Sequence, residues 1–299
     1  MMIRPPLLKP GNTVGIVAPA RMILPSQIAR GIATLESWGL EVVQGESLFC
    51  KEGYFAGTDR QRLEDFQQMI DLSSVNCIFC ARGGYGMTRI LDDLDLSPLQ
   101  KSPKWIIGFS DITALHLALN KAGIESIHGL MPVQFDYVDS ESSADQLRRL
   151  LFRGDGSISA QRNEYNRNGT VSAPIVGGNL SLICDSLGTS SEVQTHDRIL
   201  FLEEIDEYLY KIDRMLVQLK RAGKLDQLKG LVIGDFSNTK DTQIPFGKLL
   251  ETVILEHVSN YDYPVAFNLP AGHEIPNFSI PLMREVKLHV TNSETVLSF

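Results

Sequence analysis

The chain has 299 residues, of which 43% are hydrophobic and 21% charged, a composition typical of a globular protein with one large or two moderate domains. Its formal net charge of −8 argues against nucleic acid or an anionic membrane surface as a partner, because both are bound by clustered Lys and Arg. Four cysteines are too few and too scattered for a disulfide framework or a zinc site, so we expect them to be reduced.

The N-terminal segment, Met1 to Asn12, contains Arg4, Lys9 and three prolines where a secretory signal would have an apolar core. No stretch of the sequence reaches the length of a membrane span. We therefore expect a cytoplasmic protein, and the cysteine content agrees with a reducing compartment.

The first half alternates short apolar runs with amphipathic segments, the pattern of a parallel sheet with crossover helices. The predicted strands are Val14 to Pro19, Glu41 to Val43, Val75 to Ala81, Trp105 to Gly108 and Ser126 to His128. Helices are predicted at Ser26 to Trp38, after a capping box of Thr58 and Gln61, in a short segment ending at Leu94, and at Ile112 to Lys121 and Asp139 to Arg153. These elements form an α/β N-terminal domain, residues 1–153.

The polar stretch 154–169 lacks a long apolar run and is predicted to be a linker. A second domain, residues 170–299, follows it. Its predicted strands are Val171 to Val176, Ile199 to Glu203, Leu231 to Ile233 and terminal strands, and its helices begin at Asn179, Tyr208 and Phe246.

A serine stands at the sharpest predicted turn of the first half. Trp105 to Gly108 is an apolar strand, Ser110 follows it, and a helix begins directly afterwards. Such a turn exposes a nucleophilic hydroxyl, and the backbone N–H of Asp111 then faces a developing oxyanion. The alternative is that Ser110 only caps the helix.

Glycines follow the neighbouring strand in the turn Arg82-Gly-Gly-Tyr-Gly86. They let backbone N–H groups approach a ligand, so one of them is a possible second oxyanion donor. A tight turn without a ligand explains them equally well, and the spacing does not fit a dinucleotide-binding motif.

A nucleophilic serine needs a base, and the base needs an orienting acid. Of the six histidines, His273 lies in a loop after an apolar run, where functional residues tend to occur, and His128 is its main competitor. For the acid, the strand from Ile199 ends in Glu203 and Glu204, and periodicity alone does not choose between them. A solvated acidic turn is the ordinary alternative.

Seven short motifs, in this order, resemble the LD-carboxypeptidase family along essentially the whole chain. They are Phe55-Ala-Gly-Thr-Asp59, Arg82-Gly-Gly-Tyr-Gly86, Gly108-Phe-Ser-Asp111, Gly177-Gly-Asn-Leu180, Phe201-Leu-Glu-Glu204, Tyr210-Lys-Ile-Asp-Arg-Met-Leu216 and Gly272-His-Glu274. Each motif is short, but seven in order are highly specific. Where family members have Glu-Asp, this chain has Glu203-Glu204.

The resemblance implies a fold, an activity and a set of site residues. The fold would be a flavodoxin-like parallel-sheet N-terminal domain with a smaller C-terminal β-rich α/β domain. The catalytic residues would be Ser110, Glu203 and His273, with oxyanion donors from the backbone of Asp111 and Gly84. No metal or organic cofactor is implied, and a homodimer is common in the family.

The implied activity is removal of the C-terminal D-alanine from a muramoyl tetrapeptide in peptidoglycan recycling. A self-immunity peptidase that cleaves peptidyl or aminoacyl nucleotide antibiotics is a close rival with the same chemistry. Its members tend to be longer, so the cell-wall reaction is favoured. A rival from another class is a non-catalytic two-domain protein that closes on a small anion at the strand ends.

Overall fold

The computed structural model describes residues 2–299; Met1, the first residue of the N-terminal segment considered above, lies outside them. The elements of the first half are β1 (Thr13–Val17), α1 (Pro25–Ser37), β2 (Glu41–Gln44), α2 (Asp59–Asp71), β3 (Val75–Cys80), α3 (Pro98–Lys101), β4 (Trp105–Gly108), α4 (Thr113–Lys121), β5 (Ser126–His128) and α5 (Glu141–Arg153). Two 3-10 turns, Met87–Arg89 and Leu91–Asp93, replace the short helix predicted to end at Leu94.

The first sheet contains six strands. β2, β1, β3, β4 and β5 lie side by side in that order and are parallel. This is the strand order of flavodoxin-like folds. Helices α1 and α5 cover one face, and α2 and α4 cover the other. The prediction of a parallel α/β first half is confirmed.

Local sequence explains where these elements begin and which face they bury. The Thr58 hydroxyl accepts the Gln61 N–H at 3.2 Å, while the Gln61 side chain accepts the Thr58 N–H at 2.9 Å, so the predicted capping box opens α2. In β3, Cys77 packs into the α1–α5 side of the sheet and Cys80 into the α2–α4 side. All four cysteines are free thiols, as expected.

The elements of the second half are β6 (Ser157–Gln161), β7 (Gly169–Asn179), α6 (Leu180–Asp185), β8 (Ile199–Ile205), α7 (Leu209–Arg221), β9 (Gly230–Ser237), α8 (Leu250–His257), β10 (Val265–Ala266), β11 (Ile280–Leu282), β12 (Glu285–Val290) and β13 (Glu294–Ser298). The second sheet has the order β10-β9-β8-β7-β12-β13-β6. Its first four strands are parallel, and β12, β13 and β6 are antiparallel to their neighbours.

Two segments depart from the predicted organisation. Residues 157–161, expected to belong to an irregular linker, form β6 against β13, because buried Ile158 and Ala160 alternate with exposed polar residues and suffice for an edge strand. β11, from the C-terminal half, pairs antiparallel with β5 and extends the first sheet. The boundaries 1–153, 154–169 and 170–299 themselves stay a prediction.

Direct contacts join the two halves next to α4, the helix that follows Ser110. The Asn179 N–H, at the end of β7, donates to Thr113 Oγ1 at 3.1 Å. Arg284 Nε donates to Glu125 Oε1 at 2.7 Å, and both side chains are buried. None of the helices within residues 2–299 combines the length and apolar character that a bilayer crossing requires.

Candidate active site

Ser110 stands at the apex of a strained turn. Buried β4 ends at Gly108, and Ser110 opens a 3-10 turn, Ser110–Ile112, that leads into α4. The φ of Ser110 is +62°, a backbone conformation that is costly for a residue with a Cβ and clusters at functional sites. The turn is tight at Gly108, where an added Cβ would lie 2.9 Å from the Ile112 side chain.

Three distant side chains meet at this turn. His273 Nε2 lies 3.1 Å from Ser110 Oγ, and His273 Nδ1 lies 2.7 Å from Glu203 Oε2. When the Nδ1–H donates to Glu203, Nε2 is free to accept the serine proton. The Phe109 ring packs edge-on to the imidazole, with centroids 4.9 Å apart. The structure thus brings Ser110, His273 and Glu203 into one hydrogen-bonded row.

The two neighbouring acids of β8 have different surroundings. Glu204 accepts hydrogen bonds from Asn179 Nδ2, from the N–H and hydroxyl of Ser181, and from the Ile205 N–H. Glu203 is fully buried and binds His273 through Oε2, while its Oε1 has no partner among the described residues. The choice left open by the sequence therefore falls on Glu203 as the acid next to the imidazole.

The competing histidine, His128, is a core residue. It is fully buried between the rings of Phe109 and Phe201, with centroid distances of 5.5 and 5.0 Å. Burial lowers its pKa well below the ordinary value, so the ring is neutral. His116 is also buried; its Nε2 bonds the Gly108 carbonyl at 2.8 Å and its pKa is lowered by burial to about 4.

The glycine turn after β3 adjoins the serine. An added Cβ at Gly83 would lie 3.2 Å from Ser110 Oγ and 3.0 Å from its Cβ. Gly84 has a φ of +117°, which favours glycine. Within residues 2–299, neither the Gly84 N–H nor the Asp111 N–H donates to another protein group. Both remain available to a ligand oxygen.

The Asp111 side chain ties the glycine turn to the serine turn. It is buried and accepts the Met87 N–H at 2.8 Å, just after Gly86. Burial raises its pKa to about 6, although the Met87 hydrogen bond and nearby Arg62 oppose the rise. Asp111 therefore holds together the two loops whose N–H groups adjoin Ser110.

Electrostatics favour a protonated imidazole at this site. Burial alone would lower the pKa of His273, but the hydrogen bond and charge of Glu203, with smaller contributions from Glu204 and Asp235, outweigh it and raise the pKa. Burial raises the pKa of Glu203, and the His273 hydrogen bond opposes this rise. The acid thus stabilises the cation that forms when imidazole takes a proton.

Asp235 is a site residue that sequence reasoning missed. It lies in β9, close enough to His273 and Glu203 to interact with both charges, and burial raises its pKa to about 6. Its Oδ2 accepts the Glu274 N–H at 3.2 Å, next to His273. The available signal was an acid just beyond the predicted strand Leu231 to Ile233, at the sheet edge where Glu203 also lies.

The arrangement suits nucleophilic acyl transfer. It holds a hydroxyl, an imidazole within hydrogen-bond reach and a carboxylate bound to that imidazole in one row, with a glycine turn beside the hydroxyl. Across residues 2–299, no group of three or more His, Cys, Asp or Glu side chains is placed to hold a metal ion.

Both halves of the chain match models of one protein family. The model of the LD-carboxypeptidase N-terminal domain matches residues 14–129, and that of the LD-carboxypeptidase C-terminal domain matches residues 172–288. A Bacillus subtilis protein named "Probable murein peptide carboxypeptidase" is 33% identical over 300 residues, covering 98% of this chain and 94% of the relative.

Two further relatives bear on the substrate. The crystal structure of muramoyltetrapeptide carboxypeptidase from Oxalobacter formigenes superposes with a TM-score of 0.87 at 28% identity, covering 96% of this chain and 98% of that one. The microcin C7 self-immunity protein of Escherichia coli is 25% identical over 311 residues, covering 91% of this chain and 89% of its own. With both family models matched in order and a relative at 33% identity along nearly its full length, the chain belongs to the LD-carboxypeptidase family of serine-type carboxypeptidases.

Proposed function

We propose that this protein releases the C-terminal D-alanine from muramoyl tetrapeptides, with Ser110, His273 and Glu203 as the catalytic residues. The observation that carries the proposal is the hydrogen-bonded row from Ser110 Oγ through the imidazole of His273 to Glu203 Oε2. The substrate class follows from the relatives named for murein and muramoyl peptides. The reaction belongs to peptidoglycan recycling, and we expect a cytoplasmic homodimer.

Acylation begins with proton transfer. His273 Nε2 takes the Ser110 proton as Oγ attacks the carbonyl carbon that joins the diamino acid to D-alanine. The charge that develops on the carbonyl oxygen is met by the N–H groups of Asp111 and Gly84. The imidazolium then gives its proton to the leaving amine, and D-alanine departs from an acyl-enzyme.

Deacylation repeats these steps with water as the nucleophile. His273 deprotonates the water, the water attacks the ester, and the proton returns to Ser110 Oγ as the tripeptide leaves. Glu203 keeps the Nδ1–H tautomer and stabilises the imidazolium in both halves of the reaction.

Incubation with a muramoyl tetrapeptide tests this proposal. We expect stoichiometric release of D-alanine, seen by mass spectrometry, and a fall in kcat of at least about 10⁴-fold in Ser110→Ala. The matched control is Ser142→Ala, an exposed serine of α5, which should retain full activity. Unchanged hydrolysis by Ser110→Ala would refute the assignment of the nucleophile.

A second candidate substrate is an aminoacyl or peptidyl nucleotide antibiotic, favoured by the similarity to the microcin C7 self-immunity protein. The same three residues would attack its acyl group. Incubation with an aminoacyl-sulfamoyl nucleotide in parallel distinguishes the two candidate substrates. Amino-acid release from the nucleotide, with no D-alanine release from the tetrapeptide, would favour the antibiotic as the substrate. Release from neither compound would favour a non-catalytic binder.

A further inference from the structure

Two arginines stand at the edge of the sheet that carries Ser110. Arg21 follows β1, Arg82 follows β3 and Ser110 follows β4, and these three strands are neighbours and parallel. Parallel strands end at the same edge, where open α/β sheets bind ligands, and the crevice beside β1 is the point where the strand order reverses. In a chain of net charge −8, this edge offers local positive charge next to the nucleophile.

The glycine turn lies between Ser110 and the Arg21 side chain. An added Cβ at Gly83 would touch Ser110 Oγ at 3.2 Å, and one at Gly84 would meet the Arg21 side chain at 2.8 Å and the Tyr54 hydroxyl at 2.9 Å. The Arg21 guanidinium lies 5.3 Å from the centre of the Tyr54 ring. Arg21 therefore packs against the glycine turn that adjoins Ser110, and Arg82 directly precedes that turn in the chain.

The Arg82 side chain is partly buried, and the protein satisfies its guanidinium poorly. Its Nη1 contacts the Met22 carbonyl at 3.4 Å, a weak hydrogen bond, and its Nε is buried without a partner among the described residues. Nearby Arg62 and Arg89 both form salt bridges with Asp59. The titratable groups that act on Arg82 are Arg21, Tyr54 and Tyr137, none of them a carboxylate.

A carboxypeptidase must distinguish a free chain end from an internal peptide bond. The terminal carboxylate lies one residue, about 3.8 Å, beyond the residue whose carbonyl is attacked. On the imidazole side of Ser110, Asp235 and Glu203 would repel that carboxylate. On the glycine side, a guanidinium presents the paired N–H groups that match a carboxylate.

We propose that Arg82, assisted by Arg21, binds the terminal carboxylate of the substrate and so makes the enzyme an exopeptidase. This inference rests on the proposed function, because it names the group that recognises the D-alanine end. Arg82 is a binding residue here, and Arg21 adds a more exposed charge that solvent screens more strongly.

The test compares two substrates that differ only at the chain end: a muramoyl tetrapeptide with a free D-alanine carboxylate and the same peptide with D-alanine amide. We expect Arg82→Gln to lower kcat/KM for the free acid by about 10- to 150-fold, the range for loss of a charge-assisted hydrogen bond, with no change for the amide. Arg82→Lys, which keeps the charge but not the paired geometry, should lie between. Arg21→Gln should lose less than Arg82→Gln.

Arg149→Gln, an exposed arginine of α5, is the matched control and should behave as wild type on both substrates. Thermal unfolding of each variant identifies misfolding, and Arg82→Lys keeps the test decisive if Arg82→Gln does not fold. An equal loss on acid and amide in a folded Arg82 variant would overturn the inference, since it would show that the side chain supports structure alone.

Binding in a Ser110→Ala background separates this inference from the proposed function. Calorimetry should show that the tetrapeptide with a free D-alanine carboxylate binds more tightly than the tetrapeptide amide. Arg82→Gln should remove this difference in affinity, and Arg82→Lys should remove part of it. Equal affinity for both peptides would overturn the carboxylate site. If the unmutated enzyme hydrolyses neither substrate, the proposed reaction fails, whereas an acid preference that depends on Arg82 would still support the site.

Discussion

Glu203 and Glu204 are consecutive, buried and chemically identical, but their neighbours give them different functions. Glu204 is saturated by four donors from Asn179, Ser181 and Ile205, so it joins β8 to the start of α6. Glu203 binds the imidazole of His273 through Oε2, and its Oε1 meets the hydrogen-bond criteria with no group in residues 2–299. One acid stabilises the fold, and the other is available to orient a base.

Two amide substitutions separate these functions. Glu203→Gln removes the charge that stabilises the imidazolium, so we expect kcat to fall by about 10²- to 10⁴-fold with little change in unfolding free energy. Glu204→Gln replaces an acceptor by an NH₂ group facing donors, which should lower the unfolding free energy by about 1–3 kcal/mol. Kinetics and urea unfolding of both variants measure this; a catalytic loss confined to Glu204→Gln would reverse the assignment.

The pH dependence of activity follows from the surroundings of His273. Its pKa is raised above 6.5, and only the neutral imidazole can act as a base, so kcat/KM should rise with pH through an apparent pKa above 6.5. Asp235→Asn removes a negative charge that favours the imidazolium, so the acidic limb should move to lower pH. A pH–rate profile of both proteins measures the shift, and a move to higher pH would contradict this account.

At the scale of elements, two strand-to-loop junctions build the site. β4 ends in the turn that holds Ser110 at positive φ, and β3 ends in the glycine turn beside it. The Asp111 carboxylate links the two turns through the Met87 N–H. The serine and the glycine N–H groups are thus held by backbone geometry and one buried acid, with little freedom to adjust.

Gly83→Ala tests how tightly these junctions fit. Its Cβ would lie 3.0 Å from Ser110 Cβ and 3.2 Å from Oγ, so the serine must shift by a few tenths of an ångström. We expect kcat to fall by about 10- to 100-fold because the catalytic geometry is displaced, with unfolding free energy nearly unchanged. Gly230→Ala, which contacts Leu288 far from the serine, is the control. Full activity in Gly83→Ala would show that the glycine turn does not constrain the position of Ser110.

At the scale of the whole molecule, the hydrogen-bonded row of Ser110, His273 and Glu203 spans both sheets. Ser110 belongs to the first sheet, whereas Glu203 and His273 come from β8 and from the loop between β10 and β11. β7 contacts the start of α4 directly, where Asn179 bonds Thr113. The chain then returns to the first sheet through β11, which pairs with β5. These contacts hold the two sheets together next to Ser110 and His273.

Gly178→Ala should disturb this alignment. The residue has a φ of +140°, and an added Cβ would lie 2.6 Å from Thr113 Oγ1. We expect a loss of about 1–3 kcal/mol in unfolding free energy, and about 100-fold in kcat if the halves separate by 1 Å. Gly188→Ala, at a φ of +81° but facing open space, should lose some stability and retain kcat. Equal kinetics in the two variants would show that this contact does not position the site.

Much of the fold and of the candidate site could be predicted from local sequence patterns. Apolar runs and amphipathic periodicity predicted the parallel first sheet, and Thr58 with Gln61 predicted the start of α2, because these signals depend on neighbours in the chain. Seven short motifs in order predicted the family, and the resemblance to that family implied Ser110, Glu203 and His273 as the catalytic residues. Two apolar residues at alternate positions are too weak a signal to predict β6, so the sequence predicts a linker where the structure has an edge strand.

Other features were decided only when the chain folded. The separate environments of Glu203 and Glu204, the burial of His128 between two aromatic rings, and the approach of Asp235 to His273 all depend on contacts between residues far apart in sequence. The same holds for the Arg82 guanidinium, which has no carboxylate partner within residues 2–299. Burial and hydrogen-bond partners decide the chemistry of a charged side chain, and both are set by the tertiary structure.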